Sequence, residues 1–347
     1  MKTDQYSFAS DNCAGVHPQV MKALLDVNIG YTHAYGEDAV TRQAEKMMQE
    51  LMGEKCRIFF VYNGTGANVT GISQVIHPYE TVYCSDAAHI HVDECGAIER
   101  YAGCKVVSIP TSHGKLHRND VEPLLTGIGD VHRSQPGILS ITQPTEYGVV
   151  YTVDEIRELS AFAHAYGMLM HVDGARIANA AVALNVSLKE MITESGVDLM
   201  SFGAAKNGIM FGEAVVLVNP KIGKAFPFVR KQGMQLHSKM RYISAQFIAL
   251  LTDDLWLKNA AHANRMAHRL YQGLSHMEQV TVQHPVHCNS VFAVLPEHMI
   301  APMQERYHFY TWDHFRKEVR LMTSFQTREE EVDALLQSLA EAFDYSD

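Results

Sequence analysis

Apolar runs alternate with amphipathic segments along the chain from about residue 57 to residue 220. An apolar run of strand length predicts a buried strand, and the amphipathic segments between the runs predict helices. The stretches that predict strands are RIFFVYNG, TVYCSD, CKVVSIP, GILSITQP, MLMHVDG, VDLMSFG and EAVVLVN. Apolar strands separated by helices are typical of a parallel sheet that is covered on both faces. The pattern therefore predicts an α/β fold with a mostly parallel sheet.

The segment TVDEIRELSAFAHAYG contains the clearest predicted helix. Thr152 and Glu155 have the spacing of a capping box, in which each side chain accepts a hydrogen bond from the other residue's backbone N–H group. The apolar stripe that follows consists of Ile156, Leu159, Ala163 and Tyr166. Gly167 is expected to end the helix.

The pattern changes after about residue 240. A long helical stretch runs from SKMRYISAQFIALL to RMAHRLYQGLSHM, and the short apolar runs SVFAVLP, RYHFYTW and EVRLMTSF follow it. The segment TREEEVDALLQSLAEAF then predicts a last helix. Short strands followed by a helix indicate a smaller α+β unit. We therefore predict a large domain in residues 1–240 and a small C-terminal α+β domain in residues 241–347.

Composition and charge limit the kinds of partner. The 347 residues include 29 Lys and Arg against 39 Asp and Glu, a net charge of −10, which disfavours nucleic acid and anionic membranes. The N-terminus lacks the apolar core of a signal peptide, and no apolar run reaches the length of a bilayer span. Six cysteines without a C-x-x-C motif indicate reduced thiols. We expect a cytoplasmic protein with a small-molecule partner.

Polar residues follow several predicted strands, at the edge where α/β sheets bind their ligands. Asp173 ends MLMHVDG, Lys206 follows VDLMSFG, and His89 follows TVYCSD. Small residues surround Lys206 in SFGAAKNG and are expected to leave room for a ligand near its amine. Taken alone, a lysine after a strand is more often solvated, and His89 is more often a core histidine.

The turn after the first of these strands is a candidate phosphate site. The stretch YNGTGAN places Gly64, Thr65 and Gly66 at the start of a helix, where free backbone N–H groups can bind an anion. The motif is neither a Walker loop nor G-x-G-x-x-G, so a plain structural turn is the alternative. An anion site, a buried carboxylate and a lysine amine are together what pyridoxal phosphate requires.

Five segments resemble those of a known family. HAYGED, YNGTGAN, AAHIHVDECGA, HVDGARIANA and SFGAAKNG are similar to segments of the low-specificity L-threonine aldolases. These are pyridoxal phosphate enzymes of the beta-eliminating lyase superfamily with the aspartate-aminotransferase fold, fold type I. The likeness extends from Ser10 to RLMTSF near the C-terminus. It implies a transferase-like large domain that binds pyridoxal phosphate and a lyase activity of the aldehyde-lyase type.

The resemblance implies a role for each matching residue. The residues that would hold the cofactor are Lys206, Asp173, Arg176, His89, Gly64, Thr65 and Gly66. Lys206 would bind it covalently, Asp173 would bond to its ring nitrogen, and Arg176 would lie near its phenolic oxygen. The glycine-threonine turn would hold its phosphate, and His89 would stack on its face and is a candidate catalytic residue.

The resemblance also implies active sites that are shared between subunits of a homodimer or homotetramer. Tyr35, Arg230 and Lys231 would reach the site of a neighbouring subunit and help to bind its substrate. The segment RKQGMQLHSKMR departs from the glycine-rich form in other members of the family. Lys239 and Arg241 are therefore alternatives for this role.

The implied reaction is the cleavage of L-threonine, L-allo-threonine or a related β-hydroxy-α-amino acid to glycine and an aldehyde. Ser10 and Arg320 would bind the substrate carboxylate, although Ser10 could instead cap a turn and Arg320 could pair with a carboxylate of the chain. The base is His89 or a water held near it. Glu146, in QPTEYG, stands where other members carry a histidine, so the base and the aldehyde preference stay open.

Other functions keep some of these residues. A β-eliminating lyase or an aminotransferase on the same fold would retain the lysine and the aspartate but change the groups around Cβ of the substrate. A metal-dependent hydrolase could use HIHVDE, where His89 and Asp93 would share one face of a helix. The sequence contains no second cluster with ligand spacing, so we expect no metal.

Overall fold

The computed structural model describes residues 6–344 and contains three sheets. The strands are β1 (Tyr6–Ser7), β2 (Arg57–Val61), β3 (Glu80–Ser85), β4 (Lys105–Ile109), β5 (Gln135–Thr142), β6 (Leu169–Gly174), β7 (Leu199–Phe202), β8 (Glu213–Leu217), β9 (Thr281–Val282), β10 (Ser290–Val294), β11 (Tyr307–His308), β12 (Tyr310–Asp313) and β13 (Glu318–Met322). The α-helices are α1 (Pro18–Asp26), α2 (Ala39–Met52), α3 (Gly64–Ser73), α4 (His89–Val92), α5 (Ala97–Ala102), α6 (Arg118–Val121), α7 (Val153–Ala165), α8 (Ile177–Leu184), α9 (Phe226–Gln232), α10 (Met240–Leu251), α11 (Leu255–Leu274), α12 (Glu297–Arg306) and α13 (Glu329–Asp344).

The largest sheet has seven strands in the order β2-β8-β7-β6-β5-β3-β4. The neighbouring strands from β7 to β4 pair in parallel, whereas β8 runs antiparallel to both β7 and β2. Each predicted strand of this region is present, which confirms the α/β fold with a mostly parallel sheet. Because β8 is reversed, β2 ends at the same edge of the sheet as β6 and β7.

Helix α7 begins at the predicted capping box. The Thr152 hydroxyl accepts a hydrogen bond from the Glu155 N–H group at 3.2 Å, and the Glu155 carboxylate accepts one from the Thr152 N–H group at 2.6 Å. Glu155 also accepts a hydrogen bond from the Lys115 ammonium at 2.6 Å. The capping residue therefore ties the start of α7 to a neighbouring loop.

The C-terminal part contains a separate antiparallel sheet in the order β12-β13-β10-β9. The predicted long helix is two helices, α10 and α11, separated by the turn Thr252–Asp254, in which Asp253 and Asp254 both have positive φ. The side chains of α10 pack in the core of the seven-stranded sheet, while the later part of α11 packs in the C-terminal core. The domain boundary between residues 240 and 241 stays a prediction.

Two glycines allow the ends of β6 and β7 to pack backbone against backbone. A Cβ atom on Gly174 would lie 2.6 Å from the carbonyl oxygen of Ser201, and one on Gly203 would lie 2.1 Å from the carbonyl oxygen of Ala175. Gly203 thus permits this backbone contact, and it also lines the space near Lys206, as its small size predicts.

In residues 6–344, no helix combines the length and the apolar character that crossing a bilayer would need. All six cysteines have free thiols. The cytoplasmic location stays a prediction.

The contact at Gly203 can be tested by substitution. Gly203→Ala is expected to lower the free energy of unfolding by about 3 kcal/mol or more, because overpacking costs about 1–3 kcal/mol even where side chains can adjust. The measurement is chemical denaturation. Gly71→Ala is the control. Gly71 lies in α3, and a Cβ atom there would meet only side chains, at 3.6 and 3.7 Å. A Gly203→Ala protein as stable as the control would contradict the proposed role of this contact.

Candidate active site

A cavity of about 450 Å³ opens at the edge of the sheet where β2, β6 and β7 end. The residues predicted from the sequence that line it are Gly64, Thr65, His89, Asp173 and Lys206. The lining residues that the sequence did not indicate include Asn12, Asn68, Glu94, Ser201 and Glu213. The structure thus brings the predicted lysine, carboxylate and glycine-threonine turn together around one space.

Asp173 is a buried carboxylate with hydrogen-bond donors on both oxygens. Asp173 is the second-last residue of β6, and its side chain is 4% exposed. The Asn68 side-chain amide donates to Oδ2 at 2.8 Å, and the Ala175 N–H group donates to Oδ1 at 3.0 Å. Asn68 lies on the buried face of the apolar helix α3. Its polar side chain in this helix was the only feature of the sequence that could have indicated a role in the site. The donors fix the carboxylate in orientation as well as in position.

His89 is hydrogen-bonded to Glu94, which Asn68 links to Asp173. Its Nδ1 donates to Glu94 Oε1 at 2.9 Å, and Asn68 donates to the same oxygen at 2.9 Å. The hydrogen bond to Glu94 raises the pKa of His89 above its usual value, against the opposing effect of burial. A raised pKa makes the imidazole a stronger base.

The metal-dependent alternative would place His89 and Asp93 on one face of a helix. Helix α4 has only four residues, and Asp93 is its exposed C-cap residue. Glu94 folds back towards His89 instead, at a spacing that a continuous helix would not allow. Within residues 6–344, no group of three or more His, Cys, Asp or Glu side chains is arranged to hold a metal ion.

The start of α3 offers two free backbone donors. The N-cap residue Asn63 accepts a hydrogen bond from the Gly66 N–H group at 2.7 Å, so this donor is already used. The N–H groups of Gly64 and Thr65 have no acceptor among the described residues. A Cβ atom on Gly64 would meet nothing within 4 Å. Free N–H groups facing open space at a helix N-terminus fit a phosphate.

Gly66 has a different role from the predicted one. A Cβ atom on Gly66 would lie 2.3 Å from the side-chain amide carbon of Gln235. Gln235 Oε1 accepts a hydrogen bond from the Tyr62 N–H group at 2.9 Å. The glycine therefore lets Gln235 pack against the start of α3 and close one side of the turn.

Arg176 and Asp11 form a buried ion pair beside the cavity. Nε and Nη2 of Arg176 donate to the two carboxylate oxygens of Asp11 at 2.6 and 3.0 Å. Burial raises the pKa of Asp11, but the charges of Arg176 and Lys206 outweigh it and hold the pKa below its usual value. Ser10 accepts a hydrogen bond from the Asn12 N–H group at 3.2 Å, which is the turn-capping role considered as its alternative.

Arg320 lies on β13 with part of its guanidinium group free. Nη2 donates to the carbonyl oxygen of Ala9 at 2.9 Å, and buried Nε has no partner. The rings of Tyr310 and Trp312 face the guanidinium at 5.6 and 4.8 Å. Among the described residues, no carboxylate forms an ion pair with Arg320. The alternative of a structural ion pair is therefore not observed, and the free N–H group suits a ligand carboxylate.

The residues assigned to a neighbouring subunit lie outside this cavity. Tyr35 and Lys231 are exposed, and the Lys231 ammonium lies 5.0 Å from the centre of the Tyr35 ring. Arg230 is 8% exposed, and burial lowers its pKa to about 10 against the charge of Glu45. Arg230 therefore points into its own chain. The cross-subunit roles of all three residues stay predictions.

The residues present fit pyridoxal phosphate. The free N–H groups at the start of α3 suit its phosphate, Asp173 is a buried acceptor for a ring N–H group, and Lys206 supplies an amine to the same cavity. The buried and unpaired Nε of Arg320 suits the carboxylate of an amino-acid substrate.

Comparisons with known proteins agree with this chemistry. Residues 7–298 match the model of the family described as beta-eliminating lyase. The chain is 38% identical over 307 residues to a low specificity L-threonine aldolase of Pseudomonas aeruginosa, covering 88% of this chain and 89% of the relative. It is 25% identical over 346 residues to the enzyme of the same description from Saccharomyces cerevisiae, covering 97% and 86%.

Two solved structures confirm the predicted fold. The threonine aldolase of Leishmania major superposes with a TM-score of 0.93 at 30% identity and covers 97% of this chain and 99% of its own. The aspartate aminotransferase of Thermus thermophilus superposes with a TM-score of 0.72 at 17% identity, covering 97% and 91%, which shows the fold alone.

The hydrogen bond between Glu94 and His89 leads to a pH prediction. Glu94→Gln is expected to lower the pKa of His89, because the charged acceptor that favours the imidazolium form is removed. NMR titration of the His89 ring in the cofactor-free protein measures this. Asp93→Asn is the control, since it removes an exposed carboxylate one residue away. An equal His89 pKa in both variants would show that Glu94 does not control this histidine.

Proposed function

The chain belongs to the beta-eliminating lyase family, and we propose that it is a pyridoxal phosphate-dependent aldolase that cleaves L-threonine, L-allo-threonine or a related β-hydroxy-α-amino acid to glycine and an aldehyde. One observation carries this function. Lys206, Asp173 and the free N–H groups of Gly64 and Thr65 face the same cavity, so an amine, a buried carboxylate and an anion site meet at one place.

Each part of the cavity has a separate task in holding the cofactor. When bound, pyridoxal phosphate supplies a carbonyl carbon that joins an amine and a ring that accepts the electrons of the bond being broken. Lys206 would hold the cofactor through its amine. Asp173 would hold a proton at the ring nitrogen, because its buried carboxylate favours a positive partner. The free N–H groups of Gly64 and Thr65 bind the phosphate at the positive end of α3.

Arg320 binds the substrate carboxylate. Its unpaired Nε and the remaining free N–H groups of the guanidinium form a planar donor set that matches a carboxylate. Burial and the nearby charge of Arg176 lower the pKa of Arg320. An additional anion beside it relieves this repulsion, so the site favours a ligand with a carboxylate. The Ser10 hydroxyl lies at the neighbouring turn and faces Asp11 Oδ1 at 3.5 Å, so it would have to turn its single O–H group away from Asp11 to bind the substrate carboxylate.

His89 accepts the proton of the substrate hydroxyl, directly or through a water. The hydroxyl must lose its proton because its oxygen becomes the carbonyl oxygen of the aldehyde as the Cα–Cβ bond breaks. Glu94 supports this task by orienting the imidazole and raising its pKa. Glu146 is 8% exposed, and its charge raises the pKa of both His89 and Arg320. It therefore acts on the two residues to which we assign the substrate hydroxyl and carboxylate.

A second copy of the chain completes the site in our proposal of a homodimer or homotetramer. Two neighbouring segments expose large apolar side chains. The first segment carries Leu25, Ile29 and Tyr31, and the second carries Phe228 and Met234. The segments are joined by the Lys231–Tyr35 contact and by a hydrogen bond from the Tyr35 N–H group to the carbonyl oxygen of Ser238. Exposed Tyr62 and Met210 continue this apolar surface to the cavity. Such a patch favours burial against another copy.

The activity is tested by the products formed from L-threonine. The protein loaded with pyridoxal phosphate is expected to be yellow and to release glycine and acetaldehyde in equal amounts. Lys206→Ala is expected to abolish this activity because the amine that holds the cofactor is lost. Lys224→Ala, which removes an exposed lysine that does not line the cavity, is the control and should keep it.

Other products would identify the other functions. Ammonia and a keto acid from threonine would indicate a β-eliminating lyase, and transfer of the amino group to an added keto acid would indicate an aminotransferase. Either result would contradict the aldolase function while leaving the cofactor site intact. A protein that stays colourless with pyridoxal phosphate would contradict the cofactor site itself.

A further inference from the structure

Glu213 is a buried carboxylate in the cavity wall for which the sequence predicted no role. It begins β8, pairs in register with Val61 at the end of β2, and lies beside the end of β7. Its side chain is 7% exposed and lines the same cavity as Lys206. It therefore stands between the turn that would bind phosphate and the turn that carries the lysine.

The Glu213 carboxylate holds the turn on which Lys206 lies. Oε2 accepts a hydrogen bond from the backbone N–H group of Ala204 at 2.6 Å. Ala204 is the residue just before the short helical turn Ala205–Asn207. Because that turn has only three residues, fixing its first N–H group fixes the direction in which Lys206 leaves the backbone. The backbone N–H group of Ala205, the first residue of that turn, also donates to the Glu213 carboxylate.

The loop between Lys206 and Glu213 is tied to two helices of the chain. Gly208 and Gly212 have φ of +110° and +121°, which other residues rarely adopt. The Asn207 side chain donates to the carbonyl oxygen of Trp256 at 2.9 Å, and the Met210 N–H group donates to Gln246 at 2.7 Å. The loop is thus anchored to α10 and α11 between its two ends.

Glu213 changes its charge near neutral pH. Burial raises the pKa of Glu213 to about 8, although the N–H group of Ala204 and the charge of Lys206 act in the opposite direction and Asp173 adds to the increase. As the pH rises past this value, Glu213 becomes negative. A negative group beside a protonated nitrogen opposes the loss of its proton.

Other charged or titratable groups also face the cavity or act on this pair. They are Asp11, Tyr62, His89, Glu94 and Asp173. Asp11 is paired with Arg176, and Glu94 accepts hydrogen bonds from His89 and Asn68. Glu213 differs from all of them because it is hydrogen-bonded to the turn that carries the lysine.

We propose that Glu213 is a positioning residue for Lys206. Glu213 holds the turn that carries the lysine, and its charge helps to keep a proton on the lysine nitrogen. The proposal rests on the proposed function, because the lysine nitrogen is the atom that binds the cofactor. It adds a role that the cofactor site does not require: control of the pH at which that nitrogen loses its proton.

Titration of the cofactor-loaded protein tests the effect of the charge. The yellow colour depends on the protonation of the nitrogen that joins the cofactor to the lysine, so absorbance against pH reports it. Glu213→Gln keeps an acceptor for the Ala204 N–H group but removes the charge. It is expected to lower the midpoint of the colour change by about one pH unit, the size of shift that a neighbouring opposite charge causes. An unchanged or raised midpoint would overturn the proposal.

The control removes a comparable carboxylate at the other end of β7. Asp198 is 4% exposed and accepts a hydrogen bond from the Met170 N–H group at 2.8 Å. Asp198→Asn is therefore expected to leave the midpoint unchanged. A midpoint that fell equally in both variants would show that loss of any buried carboxylate has this effect and would also overturn the proposal.

A second measurement needs no cofactor and no activity. Acetic anhydride modifies the unprotonated amine, so mass spectrometry of Lys206 in the cofactor-free protein at several pH values gives a second midpoint. Glu213→Gln should lower this midpoint in the same direction. A purely structural effect would change the maximal rate of modification and leave the midpoint in place, which would contradict the role of the charge.

The outcomes separate this proposal from the proposed function. A yellow protein whose midpoint does not respond to Glu213→Gln contradicts only the role of Glu213. A colourless wild-type protein contradicts the proposed function, and the modification of Lys206 then still decides whether Glu213 acts on the lysine. If Glu213→Gln fails to fold, Glu213→Asp replaces it, with a smaller shift expected because the charge is kept but withdrawn by one methylene group. No shift in Glu213→Asp would then overturn the proposal.

Discussion

The backbone contact between the ends of β6 and β7 determines where the chemistry can take place. Gly174 and Gly203 carry no side chains. The carbonyl oxygens of Ser201 and Ala175 therefore approach to 2.6 and 2.1 Å from the positions that Cβ atoms would take. The residues that follow each strand are thereby brought to opposite sides of one narrow space. A side chain at either glycine would have to push two paired strands apart, which a closely packed interior resists.

Burial of so many charged groups is possible because each one has a partner of fixed geometry. Asp173 accepts from an amide and a backbone N–H group, and Asp11 is paired with Arg176 through two hydrogen bonds. An unpaired buried charge would cost several kcal/mol. Among the described charged groups, Nε of Arg320, Nε of Arg230 and one oxygen each of Glu94 and Glu318 are buried without hydrogen-bond partners. Of these residues, Glu94 lines the cavity.

Much of the fold and part of the site could be predicted from the sequence. Asp173 and Lys206 were recognisable because each is a polar residue at or shortly after the end of an apolar strand, and the strand-end rule places such residues at one edge. Asn68, Glu94 and Glu213 were not recognisable. Asn68 reaches Asp173 from a distant part of the chain, and Glu94 and Glu213 reach nearby residues only because the chain turns between the partners. Nothing in the local sequence pattern distinguishes such a polar residue from one that has no partner in the site.

Two details of the site depend on local features of the chain. A metal site with His89 and Asp93 on one face would need a continuous helix, but α4 ends after four residues. Gly66 was expected to bind phosphate, but its N–H group is taken by the cap residue Asn63 and its open side is filled by Gln235. In both places a cap or a chain end decided the geometry, and such features depend on contacts that a single sequence does not display.

The central claim is that Lys206 holds the cofactor opposite Asp173. Borohydride reduction of the cofactor-loaded protein, followed by peptide mass spectrometry, tests it most directly, because reduction makes the bond between amine and cofactor permanent. The expected result is one modified peptide, with the phosphopyridoxyl group on Lys206. A yellow protein in which another lysine, such as Lys239, carries the group would contradict the claim.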